Sequence, residues 1–209
     1  MDLRIALMGT PDFAVPSLNR LAENFTVAGV VSQPDRPSGR GRKLLPTPIK
    51  ETAQALGLEV FQPQDVNAPS SLQVIQDWHV DLVIVVAFGQ ILKPKLLDLP
   101  EGGCLNVHAS LLPRWRGASP INAAILAGDS HSGVTIMKMG PGLDDGPILA
   151  QESVPIGPRE TAGRLSDRLA VLGADLLLQT IPPYMQGELE PQPQDPNLAT
   201  YAGTLKKKS

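Results

Sequence analysis

The sequence predicts an α/β protein whose sheet is largely parallel and covered by helices on both faces. Short apolar segments alternate with helical patterns through the first half of the chain, which is typical of βαβ units. The 209 residues, 42% of them hydrophobic, suffice for a sizeable core. The longest unbroken apolar run, 82–88, is far too short to span a membrane. We therefore expect a soluble globular protein.

Five segments of the first half are predicted as buried strands because each is short, apolar and bounded by Gly, Pro, Asp or Asn. They span residues 3–8, 27–31, 59–61, 82–87 and 104–108. Helices are predicted between them at 14–23 and 49–56. The second helix has Thr47 as its N-cap, Pro48 at N1 and Gly57 just after its end, and each residue type favours that position.

The second half is predicted to contain two more helices and two more strands, at 118–127 and 161–180 and at 133–139 and 147–154, respectively. Leucines recur every three to four residues along the longer helix, which is typical of a helix with one buried face. The loop at 140–146 is so rich in Gly and turn-forming residues that we expect it to have a defined shape. Pro182 and Pro183 are not expected to continue a regular helix.

Charged residues are distributed unevenly along the chain, and the composition changes near its C-terminal end. The net charge of −3 argues against a general nucleic-acid binder, yet five basic residues and one acidic residue lie between Pro34 and Lys50. This loop at 34–48 is suited to contact a phosphate backbone, and the alternative is a mobile solvated insertion. Residues 1–188 are predicted to form the compact domain, and residues 189–209, which include a stretch rich in Pro and Gln, a linker or tail.

The cysteine and histidine content limits which disulfides and metal sites the protein can form. Cys104 is the only cysteine, so no internal disulfide or cysteine-based zinc cluster can form. The first residues run directly into a strand-like segment without an export signal, so a cytoplasmic location is expected. His79 and His131 have no partners at ligand spacing, and no metal site is predicted.

The strand at 104–108 carries the first candidate catalytic residues. Because side chains alternate along a strand, Asn106 and His108 share one face, about 7 Å apart, with room for a small carbonyl between them. An amide donor and an imidazole could stabilise an oxyanion and move a proton. Cys104 lies about 13 Å from His108 along the strand, too far for a thiolate–imidazolium pair.

The simpler interpretation is that His108 is a structural residue at a strand end, since an isolated Asn-x-His pattern is common. A carboxylate on the glycine-rich loop strengthens the catalytic hypothesis because it could orient His108. Asp144 is a candidate for that role, but Asp145 beside it competes, and either residue can equally be a turn former. The spacing does not choose between them.

Two other segments suggest binding roles. Arg114, Trp115 and Arg116 suit an anionic or planar partner, with a cation–π surface turn as the alternative. Residues 9–13 follow the first strand but contain Pro11 and Asp12 in place of a G-x-G-x-x-G phosphate loop, so nucleotide hydrolysis is not indicated. Phe13 in this segment is interpreted either as the apolar lining of a site or as a core residue.

Several runs of the sequence resemble one known family. They are residues 8–14 (MGTPDFA), 33–37 with 39–41 (QPDRP and GRG), 106–117 (NVHASLLPRWRG) and 142–146 (GLDDG). Over almost its whole length the chain is similar to the methionyl-tRNA formyltransferases. The run at 106–117 is specific for folate-dependent formyltransferases, and the basic loop separates the tRNA enzymes from relatives that act on glycinamide ribonucleotide or amino sugars.

The resemblance implies a Rossmann-like formyltransferase fold with a mixed, mostly parallel sheet. It implies Asn106, His108 and Asp144 at the catalytic positions, and it thereby selects Asp144 over Asp145. It also implies that residues 1–188 are the catalytic domain and that residues 189–209 lead toward an OB-like C-terminal domain, which is absent from this chain.

Binding residues follow from the same resemblance, in two groups. Folate contacts are implied at Phe88, Gly89, Gln90, Ile91, Leu92, Ser110, Leu111, Leu112 and Pro113. Contacts to the methionyl group and the tRNA are implied at Phe13, Arg36, Arg40, Arg42 and Lys43. Phe88 stands where the family often has Tyr.

The implied reaction is transfer of the formyl group of 10-formyltetrahydrofolate to the amino group of initiator methionyl-tRNA, without a metal. Folate and tRNA are the expected partners, with no membrane association, and the expected state is a monomer. One alternative is a formyltransferase for a small amine, but Pro11 and Asp12 disfavour a phosphate-binding turn. The other is a non-catalytic RNA-binding module, which would not require Asn106, His108 and Asp144.

Overall fold

The computed structural model describes residues 2–38 and 43–204. The chain divides into two compact units, residues 1–105 and 106–209. In the described part of the chain the main sheet has seven strands and is mixed. The predicted α/β class, with a mixed and mostly parallel sheet, is confirmed.

The first unit is built on four parallel strands. In the order in which they pair, they are β6 (Leu82–Val86), β1 (Arg4–Gly9), β2 (Thr26–Val31) and β5 (Val60–Phe61). Every residue of β6 is buried. A strand covered on both faces has no solvent side, which explains why its sequence is continuously apolar rather than alternating.

Four helices accompany these strands, and each has a proline in its first two positions, where the missing N–H costs nothing. They are α1 (Val15–Asn24), α2 (Pro48–Ala55), α3 (Pro69–Asp77) and α4 (Pro94–Leu97). A 3₁₀ turn at Asp12–Ala14 precedes α1. The predicted N-cap of α2 is confirmed, because the Thr47 hydroxyl accepts a hydrogen bond from the Lys50 N–H at 3.2 Å. The sequence analysis missed α3 and α4.

The basic loop contains a regular element that the composition did not indicate. Two short strands, β3 (Arg36–Ser38) and β4 (Lys43–Leu45), pair antiparallel as a hairpin. The exposed residue Arg36 pairs with the exposed residue Leu45 across it. The loop therefore presents its described residues on a strand ladder rather than on an irregular segment.

The second unit contains the strands that carry the predicted catalytic residues. The strand β7 (Cys104–His108) begins at the end of the first unit and continues into the second, where the pairing order is β10-β9-β7. The strands β9 (His131–Lys138) and β10 (Ile148–Pro155) pair antiparallel. A separate two-stranded ladder joins β8 (Arg116–Gly117) in parallel to β11 (Tyr201–Ala202).

The described part of the second unit also contains two α-helices, α5 (Pro120–Ala127) and α6 (Ala162–Met185), and a 3₁₀ turn at Pro196–Leu198. The expectation that Pro182 and Pro183 end the long helix is wrong, since α6 runs through both to Met185. They lie in its last turn, and their carbonyls still accept from the N–H groups of Gln186 and Glu188 at 3.1 and 2.8 Å. Each proline removes one N–H donor from the helix, but the helical course of the chain continues through both.

The helix α6 approaches the back of β7 closely at Gly173. A Cβ at this position would lie 2.7 Å from Cγ1 of Val107. Val107 alternates with Asn106 and His108 along the strand, so it points to the opposite face. The absence of a side chain at Gly173 is what lets the helix approach the strand.

The segment after α6 returns to the second unit. The backbone of Gln192 bridges to Ile148, and β11 pairs with β8. The assignment of residues 189–209 as a linker toward a further domain stays a prediction. Within the part of the chain that the structure describes, no helix has the length and apolar character needed to cross a bilayer.

Replacing Gly29 with alanine is expected to destabilise the protein by about 1–3 kcal/mol, because overpacking a filled core forces neighbours apart. A Cβ at Gly29 would lie 2.5 Å from the indole of Trp78. Denaturant unfolding measures the change. The matched control is Gly163→Ala in α6, where a Cβ meets nothing within 4 Å. It should leave the free energy of unfolding unchanged or raise it, and equal stability of the two variants would contradict the prediction.

Candidate active site

The strand β7 places two of the predicted catalytic residues as the alternation of its sequence indicated. Asn106 and His108 are largely buried, with exposed fractions of 9% and 6%. Burial restricts both side chains and removes competing water. Polar groups held in such surroundings act more strongly on a reacting group than they would in solvent.

Asp144 reaches both of these residues from the glycine-rich loop. Its Oδ1 lies 3.4 Å from Nδ2 of Asn106, and its Oδ2 lies 3.7 Å from Nδ1 of His108. The second distance is within ion-pair range but too long for a hydrogen bond. The backbone N–H of Gly117 donates to Oδ2 at 2.8 Å and fixes the carboxylate. An amide, an imidazole and a carboxylate therefore meet at one place.

The neighbouring Asp145 does not join this cluster. Its side chain is exposed and lies against Gly142, where an added Cβ would overlap the carboxylate. Asp144 adopts a φ of +48°, a left-handed conformation that turns its side chain differently from that of Asp145. Of the two carboxylates, the one that approaches Asn106 and His108 is that of Asp144, and its catalytic role stays a prediction.

The orientation of His108 is set by a hydrogen bond at its other nitrogen. Nε2 lies 2.9 Å from the backbone carbonyl of Trp115. A carbonyl only accepts, so this hydrogen bond requires the proton to be on Nε2. Nδ1 is consequently the nitrogen that faces Asp144. The sequence contained no signal for this contact.

The side chains of Arg114 and Trp115 make contacts within the protein, although nearly half of the Arg114 side chain is exposed, and a binding role for the pair stays a prediction. Asp129 accepts two hydrogen bonds from the Arg114 guanidinium, at 2.9 and 2.6 Å, and a third from the indole N–H of Trp115 at 2.8 Å. The guanidinium also stacks 4.3 Å from the centre of the indole ring. The alternative, a cation–π surface turn, describes this segment.

The hydrogen bonds from Arg114 and Trp115 hold the pKa of Asp129 below its ordinary value. A carboxyl whose pKa is lowered by folding stabilises the native state above its ordinary pKa, and this contribution is lost as the pH falls through the lowered value. We therefore expect Asp129→Asn to lower the melting temperature near neutral pH and to show a diminishing difference below about pH 4. Thermal unfolding between pH 2 and 7 measures it, and a difference that grows toward acid would contradict it.

The predicted folate run of the second unit, 110–113, is buried at Ser110 and Leu112 and tied to its surroundings by polar contacts. The hydroxyl of Thr135 accepts from the Leu112 N–H at 3.1 Å and donates to the Ser110 carbonyl at 2.7 Å. Gln151 donates to the Leu112 carbonyl at 2.8 Å. The run is therefore a shaped, fixed segment, with Leu111 and Pro113 less buried.

The predicted folate run of the first unit, 88–92, follows β6. Phe88 and Leu92 are buried, whereas Ile91 is 81% exposed. Gly89 has a φ of +90°, which requires glycine or considerable strain. The Gln90 side chain is hydrogen-bonded to the backbone, since it accepts from the Val66 N–H at 2.8 Å and donates to the Pro63 carbonyl at 3.2 Å.

A cavity of about 580 Å³ lies in the first unit, and its lining includes residues predicted for two different ligands. Phe88 and Gly89 were predicted for folate and Arg36 for tRNA, and all three line it. Phe13, predicted for the methionyl group, lies in the 3₁₀ turn and is half-buried. Arg40 and Arg42 lie outside the described residues, and of Lys43 only the strand backbone is described.

The base of the basic hairpin is fixed by Asp35. Its carboxylate accepts from Gln62 at 2.7 Å and from the Lys50 ammonium at 2.6 Å, and these contacts hold the pKa of Asp35 below its ordinary value. Lys50 is thus paired locally. Among residues 2–38 and 43–204, no cluster of three or more His, Cys, Asp or Glu side chains is arranged to hold a metal ion.

The sequence pattern of the formyl transferase family matches residues 3–181. The chain belongs to the formyl transferase family. This formyl transferase is 52% identical to the methionyl-tRNA formyltransferase of Halorhodospira halophila, with 98% of this chain and 66% of the relative aligned. It is 51% identical to the protein of that name from Xylella fastidiosa strain M23, over 98% and 67%. The chain therefore spans about two thirds of the length of these relatives, and the resemblance stated from the sequence is confirmed.

Solved structures share the fold of this formyl transferase. Glycinamide ribonucleotide transformylase 1 from Symbiobacterium toebii superposes with a TM-score of 0.76 at 21% identity, covering 93% of this chain and 95% of that one. An N-formyltransferase from Helicobacter canadensis, solved with folinic acid and dTDP-3-aminofucose, superposes with a TM-score of 0.71 at 21% identity. The superposition covers 97% of this chain and 71% of that one. At these identities the likeness establishes the fold.

Proposed function

We propose that the chain transfers the formyl group of 10-formyltetrahydrofolate to the α-amine of methionine on initiator methionyl-tRNA. The observation that carries the proposal is the approach of the Asp144 carboxylate to the Asn106 amide and the His108 imidazole. The curated relatives, at about 50% identity, are methionyl-tRNA formyltransferases. They favour this reaction over the small-amine and RNA-binding alternatives.

The reaction is an acyl transfer between two nitrogens. The α-amine forms a bond to the formyl carbon, the bond from that carbon to N10 breaks, and a proton passes from the amine to N10. Asn106 and His108 hydrogen-bond the oxyanion of the tetrahedral intermediate. Because Nε2–H of His108 donates to the Trp115 carbonyl, Nδ1 of the neutral ring carries no proton. Nδ1 takes the proton of the attacking amine, donates it in a hydrogen bond to the oxyanion and passes it to N10. Asp144 orients His108 from the Nδ1 side and helps to relay the proton.

The folate contacts are part of the proposal. In the second unit, the fixed backbone at 110–113 supports a role in holding a ligand, because a segment that is already ordered loses little conformational entropy on binding. In the first unit, Ile91 offers an exposed apolar side chain in the run 88–92. A sugar 3N-formyl transferase solved with 5-N-formyl-THF and the Helicobacter canadensis N-formyltransferase solved with folinic acid share this fold, which supports a formyl-folate ligand.

The tRNA is proposed to contact the basic hairpin through Arg36, Arg40, Arg42 and Lys43, with Phe13 beside the methionyl side chain. Arg36 is exposed in β3 and lines the cavity of the first unit. Cationic side chains with few internal partners suit the phosphate backbone. A cytoplasmic location and a monomeric state complete the proposal.

A direct assay tests the function. The chain is incubated with 10-formyltetrahydrofolate and initiator tRNA charged with labelled methionine, and formylmethionine released from the tRNA is quantified. We expect the formyl group to be transferred to methionyl-tRNA, giving formylmethionine. Glycinamide ribonucleotide and a nucleotide-linked amino sugar, offered as acceptors, should not be formylated. Formylation of a small amine in place of the tRNA would overturn the proposal.

The Arg36→Ala variant is expected to bind initiator tRNA more weakly at all salt concentrations and to reduce the slope of log affinity against log salt by about one. The physical reason is the loss of one phosphate-neutralising charge. Filter binding or fluorescence titration at several salt concentrations measures the slope. Lys95→Ala, an exposed basic residue in α4, is the matched control. An unchanged slope for Arg36→Ala would remove Arg36 from the tRNA contact.

A further inference from the structure

One side chain from the segment after α6 contacts the loop that carries Asp144. Nε2 of Gln194 donates to the carbonyl of Asp144 at 2.9 Å and to the carbonyl of Gly146 at 2.7 Å. Its Oε1 accepts from Nε and Nη2 of Arg116 at 3.0 and 2.8 Å. All four hydrogen-bonding positions of this amide are therefore used.

The chemistry of the partners fixes which way the amide points. Guanidinium groups only donate and carbonyls only accept, so Oε1 must face Arg116 and Nε2 must face the loop. A glutamate at position 194 could not donate to either carbonyl. The contact set therefore discriminates glutamine from its closest isostere.

These contacts act on a residue that needs support. Asp144 has a φ of +48°, which non-glycine residues seldom adopt and which persists only where the surroundings impose it. Gln194 holds its carbonyl, while Gly117, the residue after Arg116, holds its carboxylate at 2.8 Å. Arg116 itself is 6% exposed and lies in β8, which pairs with β11. The backbone and the side chain of Asp144 are thus fixed from two connected elements.

We propose that Gln194, supported by Arg116, is a positioning residue that sets the Asp144 carboxylate against Asn106 and His108. The segment after α6 then contributes one positioning side chain, Gln194, rather than serving only as a connection. This inference rests on the proposed formyl transfer for its effect on turnover.

Kinetics of Gln194→Ala test the inference. We expect kcat for formylmethionine formation to fall by about 10- to 100-fold with the KM for 10-formyltetrahydrofolate unchanged, because small misplacements of a reacting group cost that much. Gln194→Glu should be impaired as well. Gln192→Ala is the matched control, since the Gln192 side chain donates only to the nearby Glu190 carbonyl among described residues.

A double variant separates positioning from a general structural role. If Gln194 acts through Asp144, adding Gln194→Ala to Asp144→Asn should lower kcat little further. An equal loss in both backgrounds, or a kcat for Gln194→Ala equal to that of Gln192→Ala, would overturn the inference.

Hydrogen exchange distinguishes failure of this inference from failure of the proposed function. In the chain without substrates, the backbone amides of residues 142–146 should exchange faster in Gln194→Ala than in Gln192→Ala or the parent. Unchanged exchange overturns the positioning role even if formyl transfer is established. Faster exchange in a chain that forms no formylmethionine would support the positioning of the loop by Gln194 and refute the proposed function.

Discussion

Replacing His108 with alanine is expected to lower kcat for formyl transfer by about 10²- to 10⁴-fold, the usual loss when a general acid–base or oxyanion-stabilising group is removed. The imidazole is 6% exposed and held by the Trp115 carbonyl, so its contribution comes from fixed orientation as well as from its proton. Binding of tRNA should change little. Single-turnover formylation with saturating folate and tRNA measures the effect.

His131→Ala is the control for this variant, because His131 is an exposed histidine in β9 of the same unit. It should retain the parent turnover. Circular dichroism and thermal unfolding of both variants exclude a loss of fold as the cause. Parent-like turnover in folded His108→Ala would refute the catalytic assignment of His108.

The second large effect is expected for Asp144→Asn, again a reduction in kcat of about 10²- to 10⁴-fold. The substitution keeps the size of the side chain and retains an oxygen that can accept from the Gly117 N–H. It removes the charge that lies 3.7 Å from Nδ1 of His108 and therefore the means to orient the imidazole and relay the proton. Turnover measured across pH 5–9 reports the loss.

Asp145→Asn makes the same chemical change one residue along the loop. Asp145 is exposed and lies against Gly142, so its neutralisation should leave turnover near that of the parent. Combining His108→Ala with Asp144→Asn should cost much less than the product of the single losses, because residues that act as a unit are not additive. Equal activity of the Asp144→Asn and Asp145→Asn variants would contradict the role of Asp144.

The strands of the seven-stranded sheet were the most predictable part of the fold. Buried strands such as β6 and β7 are continuous apolar or alternating runs between turn formers, and their positions follow from the sequence to within about a residue. The helices α3 and α4 were missed because their apolar residues form only a short or weak periodic pattern. The hairpin of β3 and β4 was missed because proline, glycine and positive charge were taken to exclude regular structure.

The site was partly predictable for a similar reason. Strand alternation alone places Asn106 and His108 on one face, but spacing does not show which carboxylate of the loop approaches them, since that depends on the backbone conformation of the loop. Gln194 was missed because 50 residues separate it from Asp144 and because its segment has the composition of a linker. The contacts of Arg114 and Trp115 with Asp129 were not foreseen because Asp129 lies 15 and 14 residues further along the chain.

The close contact between Gly173 of α6 and Val107 of β7 limits what the face of β7 opposite Asn106 and His108 can accommodate. Val107 occupies the side of β7 that Asn106 and His108 leave empty, and α6 lies against it with no room for a methyl group. A side chain added at Gly173 is expected to press on Val107 and to disturb β7, which carries Asn106 and His108 on the opposite face. A defect that looks chemical can therefore originate in a residue that never meets a ligand.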